Sequence, residues 1–422
     1  MSFSLRLQEI RDGFERPFWV ANITEIFERL SYYGVFASLA VYLQEKLNFP
    51  ITQVANLTGL FGGMVWFLAI FGGAMADKLG FRRALSLAYL ILGGSYFLIG
   101  SIGAPWLAPV RNLVPLGLFV GFILLLPALG VSLVKPCVVG TTARASKENV
   151  RSIGYSIYYT MVNIGGAAGP YVASWAHRHL GVESVFRVAA YCVFAMFFVV
   201  LFFFREPRKP GDAPRPSIAQ TARNFLAIPP KFLLFLVIFT GYFIVFWQQY
   251  IVLPGFLHGY VDSKADVELI LVTDGAVVIC FTLLVNFLLR KLPPFTALVL
   301  GTVVSSLAWL IVAFWPTVWG AVFSIAFVAL GEIIQAPRYY DYISRLAPPG
   351  QQGTYMGFAF LPIGLGSLAG GWFGGQAMHR FGEVAHHPER AWYAITAVGL
   401  STALLLWIYD RVVQPSAQEA SS

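Results

Sequence analysis

Charge is scarce in this 422-residue chain: Asp, Glu, Lys and Arg make up 12% of it, against roughly 25% in an ordinary soluble domain. A soluble enzyme needs a polar surface that this chain does not have, and the net charge of +8 is no sign of nucleic-acid binding, because it sits mostly in short loops. Cysteine is scarcer still. Cys137, Cys192 and Cys280 are odd in number and lie in separate apolar stretches, which gives neither a disulfide framework nor a metal-ligand spacing. They read as small buried hydrophobes. No Walker sequence, dinucleotide fingerprint or nucleophile elbow is present, so enzyme chemistry and ATP-driven pumping by this chain have no basis and no cofactor is expected. The opening MSFSLRLQEIRDGFERP is charged and leads straight into an apolar stretch, unlike a cleavable signal. His379, His386 and His387 share a short loop with Glu383 and Glu389, which reads as solvated rather than metal-binding.

What the chain does have is hydrophobic length. It is 57% hydrophobic and 16% aromatic, with forty glycines and a mean hydropathy of +0.68. Apolar stretches long enough to cross a bilayer fall at about 18–43, 53–76, 84–103, 111–139, 153–178, 185–204, 232–260, 267–289, 295–314, 318–346, 353–378 and 390–410. That makes an all-α integral membrane protein of twelve spans. The long polar connection REPRKPGDAPRPSIAQTARNFLAIPPK divides it into a six-helix bundle at 1–204, a linker at 205–231 and a second six-helix bundle with a short tail at 232–422. Lys78, Arg82, Arg83, Arg144, Lys147, Arg151, the linker cations, Arg290 and Lys291 occupy one set of alternate loops. By the positive-inside rule both termini and the linker are cytoplasmic, and the protein is expected in the cell (inner or plasma) membrane. The expected partners are the lipid bilayer and a small-molecule substrate, with no nucleic acid, and the protein is expected to be a monomer. Two six-helix halves around such a linker resemble the major facilitator superfamily.

The second-to-third connection, GGAMADKLGFRR, resembles the loop motif of that superfamily through Asp77, Gly80, Arg82 and Arg83. An aspartate at a helix end can bond the start of a neighbouring helix, and the arginines can latch the bundle, so Asp77, Arg82 and Arg83 are candidate gating residues.

Charges inside a span are the sharpest signal. Within the first span, EIFERLSYYG places Glu25, Glu28, Arg29, Tyr32 and Phe36 at spacings of three and four, on one helix face. A charge at the centre of a spanning helix costs ~2.5–3.5 kcal/mol on insertion scales, so such a face must look into the bundle or a cavity.

At these residues the sequence is similar to the proton-coupled oligopeptide transporter family. The ExxER pattern of Glu25, Glu28 and Arg29, with Tyr32 and Tyr33 behind it, is the first match. SLVKPCVVG carries Lys135 like the family's fourth-helix lysine. RSIGYSIYYTMVNIGGAAGP matches a fifth-helix signature through Tyr158, Tyr159, Asn163 and Gly165, and GEIIQAPRYYDYISRLAP places Glu332 at a tenth-helix glutamate. Three departures accompany these matches. The family's second first-helix arginine is Phe36 here, its seventh-helix acid is missing from GYFIVFWQQYIVLPG, and its second-helix cavity tyrosine is Trp66. The arginine and the acid pair in the family, and losing both avoids stranding one buried charge.

The resemblance implies proton-coupled symport of small peptides or peptide-like compounds by alternating access, with protons as the coupling ion. The lost arginine and the aromatic cavity leave a proton-antiporting exporter of amphipathic, drug-like compounds as the alternative. Glu25, Glu28, Arg29 and Glu332 are the expected proton-coupling groups, joined by Asp274, a carboxylate of the eighth span. Tyr32, Tyr33, Phe36, Trp66, Lys135, Tyr159, Asn163, Trp247, Gln248 and Glu332 are the expected substrate-binding set. Lys135 and Glu332, from opposite halves, form a candidate ion pair. Arg338, Asp341 and Arg345 read as a solvated gate network at the inner end of the tenth span.

Overall fold

The computed structural model describes residues 13–207, 223, 228–347 and 352–413, apart from the side chains at 74, 77, 152 and 352–354. Most of the linker expected at 205–231 and the end of the tail therefore lie outside the described residues. A bilayer offers the backbone no hydrogen-bonding water, so each crossing segment must bond within itself as a helix. Among the described residues twelve long helices follow: α1 Arg16–Glu45, α2 Ile51–Leu79, α3 Phe81–Ile99, α4 Leu116–Arg144, α5 Arg151–Leu180, α6 Val182–Phe203, α7 Pro230–Phe246, α8 Val267–Leu288, α9 Pro294–Phe314, α10 Val318–Leu346, α11 Phe360–Met378 and α12 Glu389–Val412. Among the described residues, nine candidate spans are long and apolar enough to cross a membrane. The three long helices outside that set are α1, which holds the charged face, α3 and α5.

Most ends agree with the hydropathy reading to within a few residues. The stretch expected as the seventh span, 232–260, does not run as one regular helix, and its candidate span is Pro230–Ile251. After Phe246 it continues through short turns at Gln248–Ile251 and Leu253–Phe256 and a wide turn at Leu257–Val261. Pro254 removes a donor from the helix ladder there. Prolines inside α4 (Pro127, Pro136), α5 (Pro170) and α10 (Pro337) leave those helices unbroken. Cys137 is buried and Cys192 half-buried, but Cys280 is exposed on α8, so the buried reading does not extend to it.

The chain forms two compact units. One comprises the described residues of Met1–Val35 and Leu68–Thr221; the other comprises those of Phe36–Phe67 and Ala222–Ser422. The division falls within the linker and, in addition, cuts through α1 and α2. In the first unit, α3 packs on α4 and α6, and α5 packs on α4 and α6. In the second, α9 packs on α10 and α12, α7 on α11 and α12, and α8 on α10. The early part of α2 joins this second unit through small residues. Ser367 Oγ donates to the Gly59 carbonyl at 3.0 Å, and a Cβ on Gly63 would stand 2.9 Å from the Gly364 carbonyl. Such faces let helix backbones approach closely where lipid supplies no hydrophobic driving force.

Candidate functional site

In the first unit the charged face of α1 is fully buried: Glu25 and Glu28 are 0% exposed and Arg29 is 1% exposed. Arg29 Nε bonds the Glu28 carboxylate and lies 3.5 Å from Glu25 Oε1. The helix spacing of three and four is what brings both acids to one guanidinium. Arg29 also sits 5.2 Å from the Tyr32 ring centroid, a cation–π contact. Lys135, half-buried on α4, lies within electrostatic range of Glu25, Glu28 and Arg29. The spacing of charges thus predicts a real cluster, and the lysine singled out on another helix joins it.

The elements around the cluster hold it in place. Asn22, one turn before Glu25, donates to the Phe18 carbonyl at 2.8 Å and to Thr142 Oγ1 of α4 at 3.4 Å. On α5, a Cβ at Gly165 would lie 2.5 Å from the Ile26 carbonyl and 2.8 Å from Arg29 Cβ. Gly165, noted as part of a fifth-helix signature, is thus the point where α5 touches the charged turn. From α3, Tyr89 and Tyr96 are buried within electrostatic range of Glu28, and Tyr89 of Glu25 also. These two tyrosines, seven residues apart and so on one face, carry no charge to mark them in the sequence. On α5, Tyr159 is exposed and Asn163 Nδ2 donates to the Tyr159 carbonyl at 2.8 Å.

A second polar cluster lies in the second unit. Asp274 of α8 and Glu332 of α10 are within electrostatic range of each other. Tyr242 of α7 is near both, with Gln335 and Ser305 beside its hydroxyl, although that hydroxyl completes a hydrogen bond with neither. Sequence reading found the two carboxylates and missed Tyr242 and Gln335, which are uncharged and come from separate helices.

Two of the residues expected to contact substrate, Phe36 and Trp247, pack together in the second unit. Phe36 stacks on Tyr250 with ring centroids 4.6 Å apart and planes at 7°. Its ring is also 5.3 Å from those of Phe61 and Trp247. Trp247 Nε1 donates to the Ile363 carbonyl at 3.0 Å, and Gln248 Nε2 donates to the carbonyls of Ile244 at 2.7 Å and Gly370 at 3.1 Å. Phe36, at the position of the similar family's arginine, is thus part of an aromatic stack. Trp66, half-buried, has its ring 5.5 Å from that of Phe360. Tyr33 is half-buried beside Tyr32.

At the α2–α3 connection, the side chain of Asp77 lies outside the described residues. Gly80 has φ +78°, a left-handed turn that suits glycine, and the backbone N–H groups of Phe81 and Arg82 donate to Glu206 at 2.8 and 2.9 Å. Arg82 Nη2 reaches the Leu201 carbonyl at 2.7 Å, and Arg83 is exposed. The carboxylate that caps α3 in this structure is thus Glu206, after the sixth span, a residue the motif does not contain. At the end of α10, Arg338 bonds Asn286 Oδ1, and Asp341 pairs with Arg345 at 3.0 Å.

The sequence model of the Major Facilitator Superfamily matches residues 22–370 and 238–422 of this chain. A protein named multidrug resistance protein MdtH from Klebsiella pneumoniae is 23% identical over 383 residues, covering 90% of each chain. Its namesake from Yersinia enterocolitica is 22% identical, covering 90% of this chain and 92% of its own. Among solved structures, a POT family transporter in complex with 5-aminolevulinic acid superposes with a TM-score of 0.77 at 15% identity, covering 94% of this chain and 96% of that one. The nucleoside transporter NupG superposes with a TM-score of 0.76 at 13% identity, covering 93% and 99%. At such identities the structural likeness speaks for the fold.

Proposed function

The chain belongs to the Major Facilitator Superfamily, and from that premise we propose that it is a proton-coupled symporter of small peptides or peptide-like compounds, working by alternating access. The observation that carries this reading is the charged group of buried Glu25, Glu28 and Arg29 with half-buried Lys135 in electrostatic range. Two carboxylates and two cations balance when all are ionised. A proton on either carboxyl leaves one positive charge in a low-dielectric surrounding, where uncompensated charge is costly. An anionic group of the substrate restores the balance, so proton and substrate are tolerated together or not at all. That is the condition for symport. The Asp274–Glu332 pair complements it, since two neighbouring carboxylates repel and make a place for a proton or an ammonium group.

One observation favours a second reading, proton-antiporting export of amphipathic compounds. The Phe36–Tyr250–Trp247 stack replaces the cation that would help hold a peptide carboxylate, and the curated relatives above are named for multidrug resistance.

Proteoliposomes carrying an acid-outside gradient separate the two. Under symport, labelled dialanine accumulates inside, and Glu28→Gln abolishes that accumulation while retaining dialanine counterflow, which needs no net proton movement. No dialanine accumulation, together with proton-driven extrusion of an amphipathic dye, establishes the second reading. Equal loss of accumulation and counterflow in Glu28→Gln removes Glu28 from proton coupling.

A further inference from the structure

Away from the buried clusters, inside the second compact unit, the C-terminal end of α1 is pinned to the corner between α7 and α8 by two polar contacts. Glu45 Oε1 lies 2.8 Å from His258 Nδ1, and Ser38 Oγ donates to Glu268 Oε1 at 2.8 Å. His258 lies beyond the candidate span Pro230–Ile251, in the wide turn that ends the seventh segment. Its other nitrogen, Nε2, lies 2.9 Å from the Ala265 carbonyl.

The chemistry of these two partners is unequal to a neutral imidazole. A backbone carbonyl only accepts, so Nε2 must carry a proton. An ionised carboxylate also only accepts, so Nδ1 must carry one as well for the Glu45 contact to be a hydrogen bond. Both bonds exist together only when the ring is an imidazolium. A neutral ring keeps only one of the two bonds: with the proton on Nε2 the Nδ1 lone pair faces the carboxylate and repels it, and with the proton on Nδ1 the Ala265 bond is lost and the Glu45 contact keeps no charge on the ring.

We propose that Glu45 and His258 form a proton-operated latch that holds the end of α1 against the α7–α8 corner while His258 is charged and releases it when the ring is neutral. The proton is the ligand of this site. Burial alone lowers the affinity of His258 for a proton, but the Glu45 bond, the Ala265 carbonyl and the charges of Glu45 and Glu268 outweigh it and push its pKa above the usual histidine value. The remaining charged groups nearby in the chain are Lys46, at the end of α1, and Asp262, Lys264 and Asp266, in the α7–α8 connection. Asp262 accepts from the Lys264 N–H and Asp266 from the Leu269 N–H. Since the latched pKa is the higher one, the latch contributes fully below the unlatched pKa and is lost as pH rises through the latched pKa. The Ser38–Glu268 bond does not pass through the His258 ring and stays as the second pin.

The measurement needs no substrate, so its failure is distinct from failure of the symport reading. Spin labels are placed at Pro50→Cys and Ser263→Cys, both exposed positions, with Cys137, Cys192 and Cys280 replaced by Ala, and their distance distribution is recorded in nanodiscs. The short-distance fraction should dominate at about pH 5, and its ratio to longer distances should fall severalfold by about pH 8 as the ring loses its charge. His258→Gln should shift the wild type's acid distribution toward long distances at every pH, and His258→Lys should keep the short one throughout. A distribution in His258→Gln that follows pH as the wild type does, or a wild type that ignores pH, overturns the proposal.

Discussion

Arg29 shows what a single residue decides in this protein. Its Nε serves two carboxylates that are both 0% exposed, so its removal leaves two buried charges without their nearest cation. Breaking a buried pair from one side costs about 3–5 kcal/mol, whereas removing both partners can be nearly neutral. Arg29→Ala should therefore lower thermal stability in detergent by about 3–5 kcal/mol, and adding Glu28→Gln should recover a substantial part of it. Strictly additive losses on a double-mutant cycle would show that the two side chains do not share an interaction. The charged residues of this site were legible because charge in an apolar span is expensive wherever it occurs. Tyr89, Tyr96, Tyr242 and Gln335 were not, because an uncharged polar group in such a span is common, and only its neighbours give it meaning.

At the scale of the element, the crossing of α1 and α5 sets where the charged turn sits. Gly34, Gly165 and Gly169 leave no room for a side chain: a Cβ on Gly169 would stand 2.5 Å from the Leu30 carbonyl, and one on Gly34 3.0 Å from the Gly169 carbonyl. Backbone atoms cannot turn aside as a side chain can, so added volume must push the helices apart. Gly165→Ala should cost about 1–3 kcal/mol, the usual range for overpacking, and reduce transport by displacing Arg29. Gly94→Ala on α3, whose Cβ would meet nothing within 4 Å, is the matched control and should leave stability and transport unchanged. Comparable losses at the two positions would assign the effect to glycine itself rather than to the crossing. The GxxxG-like spacing of Gly165 and Gly169 was visible in the chain; which helix it receives was not.

For the whole molecule, the informative fact is that α1 and α2 each contribute to both compact units. A polar linker between two runs of six spans suggests halves that end at the linker, and the packing of Phe36–Phe67 does not follow that rule. Gly59, Gly63 and Phe36 meet Ser367, Gly364 and Tyr250 instead. A C-terminal fragment of residues 228–422 should therefore melt lower alone than when co-expressed with residues 1–207, as read from fluorescence-detected thermal unfolding. Equal melting with and without the N-terminal fragment would mean that the Phe36–Phe67 contacts contribute nothing to the second unit.

Composition and hydropathy by themselves determined that this chain is helical, spans a membrane many times and must bury Glu25, Glu28 and Arg29. These conclusions need only local physics: a backbone without water must bond within its own helix, and a charge cannot face lipid at tolerable cost. Contacts between residues distant in the chain had to come from the tertiary structure. Glu206 bonds the first N–H groups of α3, Phe36 stacks on Tyr250, and Glu45 meets His258. Each of these depends on which faces of separate helices approach within a few ångströms, and in a chain where nearly every face is apolar, the sequence pattern of one helix does not specify the face of another that it will meet.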